Sequence, residues 1–354
     1  MSIIRRKTKA IFIGPVQVGG DAPITVQSMT NTDTRDWLKT VRQIQRLHRA
    51  GCEIVRVAVP DQEAAKALAK IVKKSPIPVI ADIHFDYKLA LMALEAGVHG
   101  LRLNPGNIGS AQKVRIIVRE AKNRNVPIRI GVNAGSLEKK LIEKFGGITA
   151  EAMVESALYH VRILEEMDFN LIKISLKASD IPLMLDAYRL LAQKVDYPFH
   201  IGVTEAGPKN TGIIKSAVGI GALLAEGLGD TLRVSLTADP VEEVTIGYQI
   251  LKALGLREYG AEVISCPTCG RTQVNIMKIA REVEKYAKKV RKPLKIAVMG
   301  CAVNGPGEAR EADLGIAGGK GEALLFKKGK VIRKIAEEEI LDVLKAEIRK
   351  LEEE

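Results

Sequence analysis

Three of the chain's four cysteines fall in two short glycine- and proline-rich stretches, Cys266-Pro267-Thr268-Cys269-Gly270-Arg271 and Gly300-Cys301-Ala302-Val303-Asn304-Gly305-Pro306-Gly307-Glu308-Ala309. A C-x-x-C loop ahead of a helical pattern, with a third cysteine in a turn after a strand, has the spacing of a metal or iron–sulfur site. The fourth ligand is not a cysteine, and the histidines (His48, His84, His99, His160 and His200) all precede the region by 66 residues or more. What lies nearby is oxygen: Glu308, seven residues past Cys301, with Glu311 and Asp313 behind it. Structural zinc closes its shell with Cys or His, whereas a site that touches substrate keeps a weaker or open position. Three thiolates and a carboxylate therefore point to a reactive [4Fe–4S] cluster. The alternative is a zinc ribbon that borrows a ligand from elsewhere.

A second set of chemical groups lies on predicted strands. Arg56, Asp82 and His84, Arg102 and Asn104, Arg129 and Asn133, Ser175 and Lys177, and Arg233 and Ser235 interrupt runs that would otherwise be apolar. Buried parallel strands normally read as near-continuous Val, Ile and Leu. Polar residues two apart share one face, so these sets point one way while their apolar neighbours pack the other. Arg56, Arg102, Arg129, Lys177 and Arg233 outnumber Asp82 and Glu205, and guanidinium forks match phosphate oxygens, so a diphosphate-sized anion is the expected ligand. Glu205, in Thr204-Glu205-Ala206-Gly207, is the carboxylate best placed for proton transfer or for holding a hydroxyl.

The elements that position these groups follow from periodicity. Between residues 24 and 254, β-branched runs alternate with helical patterns: Ile24–Met29, Ile54–Val59, Val79–Phe85, Gly100–Asn104, Ile128–Asn133, Leu171–Leu176, Phe199–Thr204 and Thr231–Leu236. Eight parallel strands with crossover helices predict a (β/α)8 TIM barrel whose lumen holds the polar set, most of it at the strands' C-terminal ends. The period changes after residue 254. Val274, Met277, Ala280, Val283, Tyr286, Ala287 and Val290 follow helical spacing, and Leu294–Met299 reads as the strand delivering Cys301. Further strands are expected at Asp313–Ala317 and Leu324–Phe326, a hairpin turn at Lys328-Gly329 and a helix over Ala336–Glu354. The expected organisation is a barrel over 1–254 and a smaller α/β iron–sulfur domain over 255–354.

Lys and Arg exceed Asp and Glu to give a net charge of +12, which suits an anionic ligand or an acidic partner protein. Nucleic acid is disfavoured because 4% aromatic residues leave little to stack on bases. The apolar stretch behind the basic amino terminus is broken by Gly14-Pro15, and no run approaches a membrane span, so the expected location is the cytoplasm. Cys52 reads as a buried core thiol.

The motifs resemble a known family, the bacterial 4-hydroxy-3-methylbut-2-enyl diphosphate synthases of the non-mevalonate isoprenoid pathway, in their short two-domain form. The resemblance rests on Val26-Gln27-Ser28-Met29-Thr30, Ala81-Asp82-Ile83-His84-Phe85, Arg102-Leu103-Asn104-Pro105-Gly106-Asn107, Gly131-Val132-Asn133-Ala134-Gly135-Ser136-Leu137, both cysteine stretches, and Ala312-Asp313-Leu314-Gly315-Ile316-Ala317-Gly318-Gly319. It implies reductive opening of 2-C-methyl-D-erythritol 2,4-cyclodiphosphate with loss of water, by a [4Fe–4S] cluster on Cys266, Cys269, Cys301 and Glu308. It further implies substrate contacts from Arg56, His84, Arg102, Arg129, Asn133, Lys177 and Ser235, with Glu205 and Glu308 catalytic. A ferredoxin or flavodoxin would supply electrons, and the working unit would be a homodimer with a shared active site. The competing reading is a non-redox barrel enzyme on a phosphorylated metabolite with a structural zinc tail.

Overall fold

The computed structural model describes residues 3–104, 108, 110–301, 307 and 309–354, and the chain divides into two units, Met1–Arg257 and Glu258–Glu354. The first unit opens with a hairpin of β1 (Ile11–Ile13) and β2 (Val16–Val18). Eight strands follow: β3 (Thr25–Met29), β4 (Ile54–Ala58), β5 (Val79–Ile83), β6 (Gly100–Leu103), β7 (Ile128–Asn133), β8 (Ile172–Lys177), β9 (His200–Ile201) and β10 (Thr231–Leu232). The described helices between and after them are α1 (Trp37–Arg49), α2 (Gln62–Lys74), α3 (Tyr87–Glu95), α4 (Ala111–Asn123), α5 (Lys139–Phe145), α6 (Ala150–Glu165), α7 (Ile181–Ala192), α8 (Lys209–Ala225) and α9 (Pro240–Ala253). The strands pair in parallel in the order β8-β7-β6-β5-β4-β3-β10-β9, and a parallel bridge from Ile174 to Phe199 joins the ends. The sheet is thus the expected closed barrel.

Local chemistry explains where the helices begin. Asp36, Asp61, Asp86, Asp180 and Asp239 accept first-turn backbone N–H groups of α1, α2, α3, α7 and α9, so five connections leaving the strands end in an aspartate cap. Strands β9 and β10 are shorter than their apolar runs. Arg233 N still donates to Ile201 O at 3.0 Å, but further on the donors turn elsewhere, Leu236 N to the Glu243 carboxylate at 3.0 Å and Thr237 N to Gly207 O at 3.2 Å. The hairpin has no counterpart in the sequence reading. Its Ile11, Ile13 and Val18 pack on Ile54 and Ile80 at the N-terminal parts of β4 and β5, closing the barrel floor with apolar surface.

The second unit is a five-stranded sheet in the order β11 (Ala261–Ser265), β12 (Leu294–Met299), β13 (Leu314–Gly319), β14 (Glu322–Lys327) and β15 (Lys330–Ala336). The first three strands are parallel, and the last two continue antiparallel. Helices α10 (Ile276–Ala287) and α11 (Ile340–Glu353) share one core with Ile296, Val298, Leu314 and Ile316. Alternation sends Ala297, Met299 and Ala317 to the other face, against Phe326. Two expectations change here. Met277 is 66% exposed, because the buried stripe of α10 is Ile276, Ile279, Val283 and Ala287. The carboxy-terminal helix starts at Ile340, since residues up to Ala336 pair with β14. Among the described residues no helix is long and apolar enough to cross a membrane.

Candidate active site

Strand register converts the alternating polar residues into a cationic lumen. Asp82 pairs with Arg102, Arg102 with Arg129, and Arg129 with Lys173, so these four lie on one face across β5 to β8. Arg56, Arg102, Arg129, Lys173 and Lys177 are all buried. Asp82 is the hub: Arg102 Nη1 reaches its Oδ1 at 3.2 Å, Arg56 Nε its Oδ2 at 3.5 Å, and His84 Nε2 the same oxygen at 3.4 Å. Burial by itself would raise the Asp82 carboxyl, but Arg56, the His84 hydrogen bond and Arg102 overcome it and hold it well below the usual carboxylate range.

On the opposite side Arg233 approaches Glu243 at 3.4 Å, and Glu243 also accepts from Ser28 Oγ at 3.3 Å. The Met29 sulfur lies between two guanidinium groups, accepting from Arg56 at 3.0 and 3.2 Å and from Arg233 at 3.6 Å. Burial lowers Arg56 to about 10, with Asp82 opposing the shift. Burial and the neighbouring cations push Arg129 and Lys177 well below their ordinary values. Arg102 Nε and Arg129 Nε and Nη1 are buried without a hydrogen-bond partner among the described residues. Two glycines allow close approach here: a Cβ on Gly131 would lie 2.7 Å from Arg102 Nε, and one on Gly202 would collide first with the Arg233 backbone carbonyl and then lie 2.8 Å from Lys177 Nζ.

At the C-terminal rim the groups are more accessible. His84 is 46% exposed at its side chain. Asn133 and Ser235 are half-buried, and Glu205 is exposed with φ of +52°. Asn104 Nδ2 donates to Ser136 Oγ at 3.0 Å, tying the end of β6 to the turn after β7. Three interior titratable residues escape the sequence reading. Lys173 belongs to the alternation of Ser175 and Lys177, His200 opens β9, and Glu243 reaches inward from α9, where a helical charge reads as solvent-facing.

The cysteines are delivered by adjacent parallel strands. Ser265 pairs with Val298, so Cys266 and the Gly300-Cys301 step leave the sheet side by side, and Gly300 N donates to Cys266 Sγ at 3.2 Å. Hydrogen bonds from the Arg271 backbone and side chain lower the thiol of Cys269. All three thiols are free, as is the buried Cys52. Among the described residues no group of three His, Cys, Asp or Glu side chains is placed to hold a metal ion. Glu308, residues 302–306 and the 105–107 part of the Arg102 motif lie outside the described residues.

Residues 8–248 match the GcpE TIM-barrel domain and residues 262–350 the GcpE protein C-terminal domain. The chain is 64% identical over 348 residues to the 4-hydroxy-3-methylbut-2-en-1-yl diphosphate synthase (flavodoxin) of Geobacter sulfurreducens, covering 98% of this chain and 99% of that one. It is 59% identical over 344 residues to the protein of the same name in Clostridium acetobutylicum, covering 97% and 99%. Among solved structures, the Plasmodium falciparum HPPK-DHPS shares the barrel fold at a TM-score of 0.50 and 11% identity, over 70% of this chain and 48% of that one.

Proposed function

The chain belongs to the family of 4-hydroxy-3-methylbut-2-en-1-yl diphosphate synthases, and from that premise we propose that it reductively opens 2-C-methyl-D-erythritol 2,4-cyclodiphosphate to 4-hydroxy-3-methylbut-2-enyl diphosphate. Two electrons and two protons enter and one water leaves. The observation that carries the assignment is the lumen, where Arg56, Arg102, Arg129, Lys177 and Arg233 converge against only Asp82 and Glu243 among the described residues. The unpartnered N–H groups of Arg102 and Arg129 are donors for phosphate oxygens, and burial strengthens each such bond. Asp82 fixes Arg56 and Arg102 before substrate arrives, so binding requires little reorganisation. Asn133 and Ser235 hold hydroxyl groups at the rim, His84 hydrogen-bonds there, and Glu205 moves a proton to the departing oxygen.

The free thiols of Cys266, Cys269 and Cys301 fit a cluster by their soft donor chemistry, and Glu308 is assigned the fourth position. Held there, a [4Fe–4S] cluster would supply the low-potential electrons that reductive C–O cleavage needs. The electron source is a flavodoxin or ferredoxin. The barrel (1–254) is the substrate domain and 255–354 the cluster domain. The working unit is a homodimer in which each cluster domain serves the partner's barrel. Its support is where the chain leaves the barrel: Arg257 bonds Ile24 O at 2.7 Å and Glu53 at 3.1 Å, beside the starts of β3 and β4, at the end opposite the mouth.

An anaerobic assay of the reconstituted protein with the cyclic diphosphate and an artificial reductant tests this reading. Formation of the linear diphosphate is the expected result. Saturable binding without turnover by protein of full iron content would overturn the redox assignment.

A further inference from the structure

The lumen continues below the groups assigned to the diphosphate. Lys173 lies four residues before Lys177 on the same face of β8, and its register partner is Arg129. It is 1% exposed, and its Nζ makes no hydrogen bond to the described residues. Arg129 leaves Nε and Nη1 unpartnered. On β9 the buried His200 meets Thr231 Oγ1 through Nδ1 at 2.7 Å and leaves Nε2 unpartnered. In the tautomer whose Nδ1 accepts the Thr231 hydroxyl proton, Nε2 is a third donor, while Arg129 and Lys173 donate in either tautomer. The buried carboxylates are engaged elsewhere: Asp82 by Arg56, Arg102 and His84, Glu243 by Arg233, Ser28 and Leu236 N, and Asp230 by Arg5, Thr8 and Phe199 N.

We propose that Arg129, Lys173 and His200 form a second anion site at the floor of the barrel lumen, taking one small inorganic anion such as chloride, distinct from the mouth that takes the diphosphate. Buried donors are almost always matched, by protein, water or an ion, and an anion gives cationic donors the stronger, charge-assisted bond. Burial, then neighbouring cations, press Lys173, Arg129 and His200 below their ordinary values, with Asp230 opposing the shift at Lys173 and Asp82 at Arg129, and an anion among them would oppose it further. Arg129 belongs to both sites, its two unpartnered groups, Nε and Nη1, divided between the floor anion and the diphosphate, so an anion beneath it pins the guanidinium.

Crystals grown without substrate in sodium bromide, measured at the bromine absorption edge, test the site. An anomalous peak within hydrogen-bonding reach of Lys173 and Arg129 is expected, and Lys173→Met should abolish it. In solution, exchanging potassium glutamate for potassium bromide at constant ionic strength should raise the unfolding midpoint of the wild type and not that of the variant. The wild-type map is decisive even if the variant fails to fold. Bromide confined to the mouth, or no bromide in the lumen, overturns the proposal. A floor peak that survives Lys173→Met is an adventitious ion only and overturns it too. None of these results bears on the diphosphate assignment, which is read from substrate binding.

Discussion

Arg102 and Arg129 are 4% and 2% exposed inside the barrel, with buried N–H groups left unmatched. Replacing either by Leu should weaken binding of the cyclic diphosphate by roughly 2–5 kcal/mol, the range for truncating one partner of a buried charge pair. An unchanged dissociation constant in both variants would remove the phosphate role from these residues. Lys177 gives a pH signature. Burial, then Arg129 and Arg233, lower it well below 10.5, and a bound phosphate raises it again. Between those two values binding takes up a proton, so affinity falls as pH rises through the window and is flat below it. Calorimetry in two buffers of different ionisation enthalpy should detect this uptake and lose it in Lys177→Met; equal uptake in both proteins would contradict the assignment. Most of the lumen was legible because burying an arginine on a strand is costly unless a charged group meets it there. Glu243 was not, since only the packing of α9 shows that its carboxylate faces inward, and Lys173 lost its signal at the start of an apolar run.

The parallel strands and their helices announce themselves through apolar runs that alternate with 3.6-residue periodicity, and the aspartate caps sharpen the helix starts. Short elements do not. The hairpin β1–β2 offers three residues per strand, and β11 and β15 bury too little to show an apolar run. The hairpin nevertheless carries core. Ile13→Ala should cost about 2–5 kcal/mol in denaturant unfolding as a buried side chain is lost from the barrel floor. A loss under about 1 kcal/mol would mean that the hairpin is peripheral to the barrel. Within β7, Gly131 matters for what it lacks. Gly131→Ala places a methyl group 2.7 Å from Arg102 Nε, so we expect weaker diphosphate binding by a protein that still folds. Wild-type affinity in that variant would show that Arg102 moves aside freely.

At the scale of the molecule, a cation-lined barrel and a cysteine-bearing sheet are joined through Arg257, which is anchored at the barrel floor. The sequence showed both units because the period changes near Gly255; the homodimer with a shared site came from the resemblance, since assembly depends on surfaces rather than pattern. If cluster domains act in trans, mixing inactive Cys301→Ser protein with inactive Glu205→Ala protein should restore activity through dimers with one intact composite site. Confirmed subunit exchange without recovery would favour closure within one chain. The central claim, that substrate held by the lumen is reduced at iron held by the cysteines, is tested most directly by anaerobic electron paramagnetic resonance of the reduced, iron-reconstituted protein titrated with the cyclic diphosphate. The account predicts an iron–sulfur signal that changes on saturation with substrate, is unaltered by substrate in Arg102→Leu at the same concentration, and is missing in Cys301→Ser. A wild-type signal indifferent to bound substrate, or a colourless protein holding stoichiometric zinc, would contradict it.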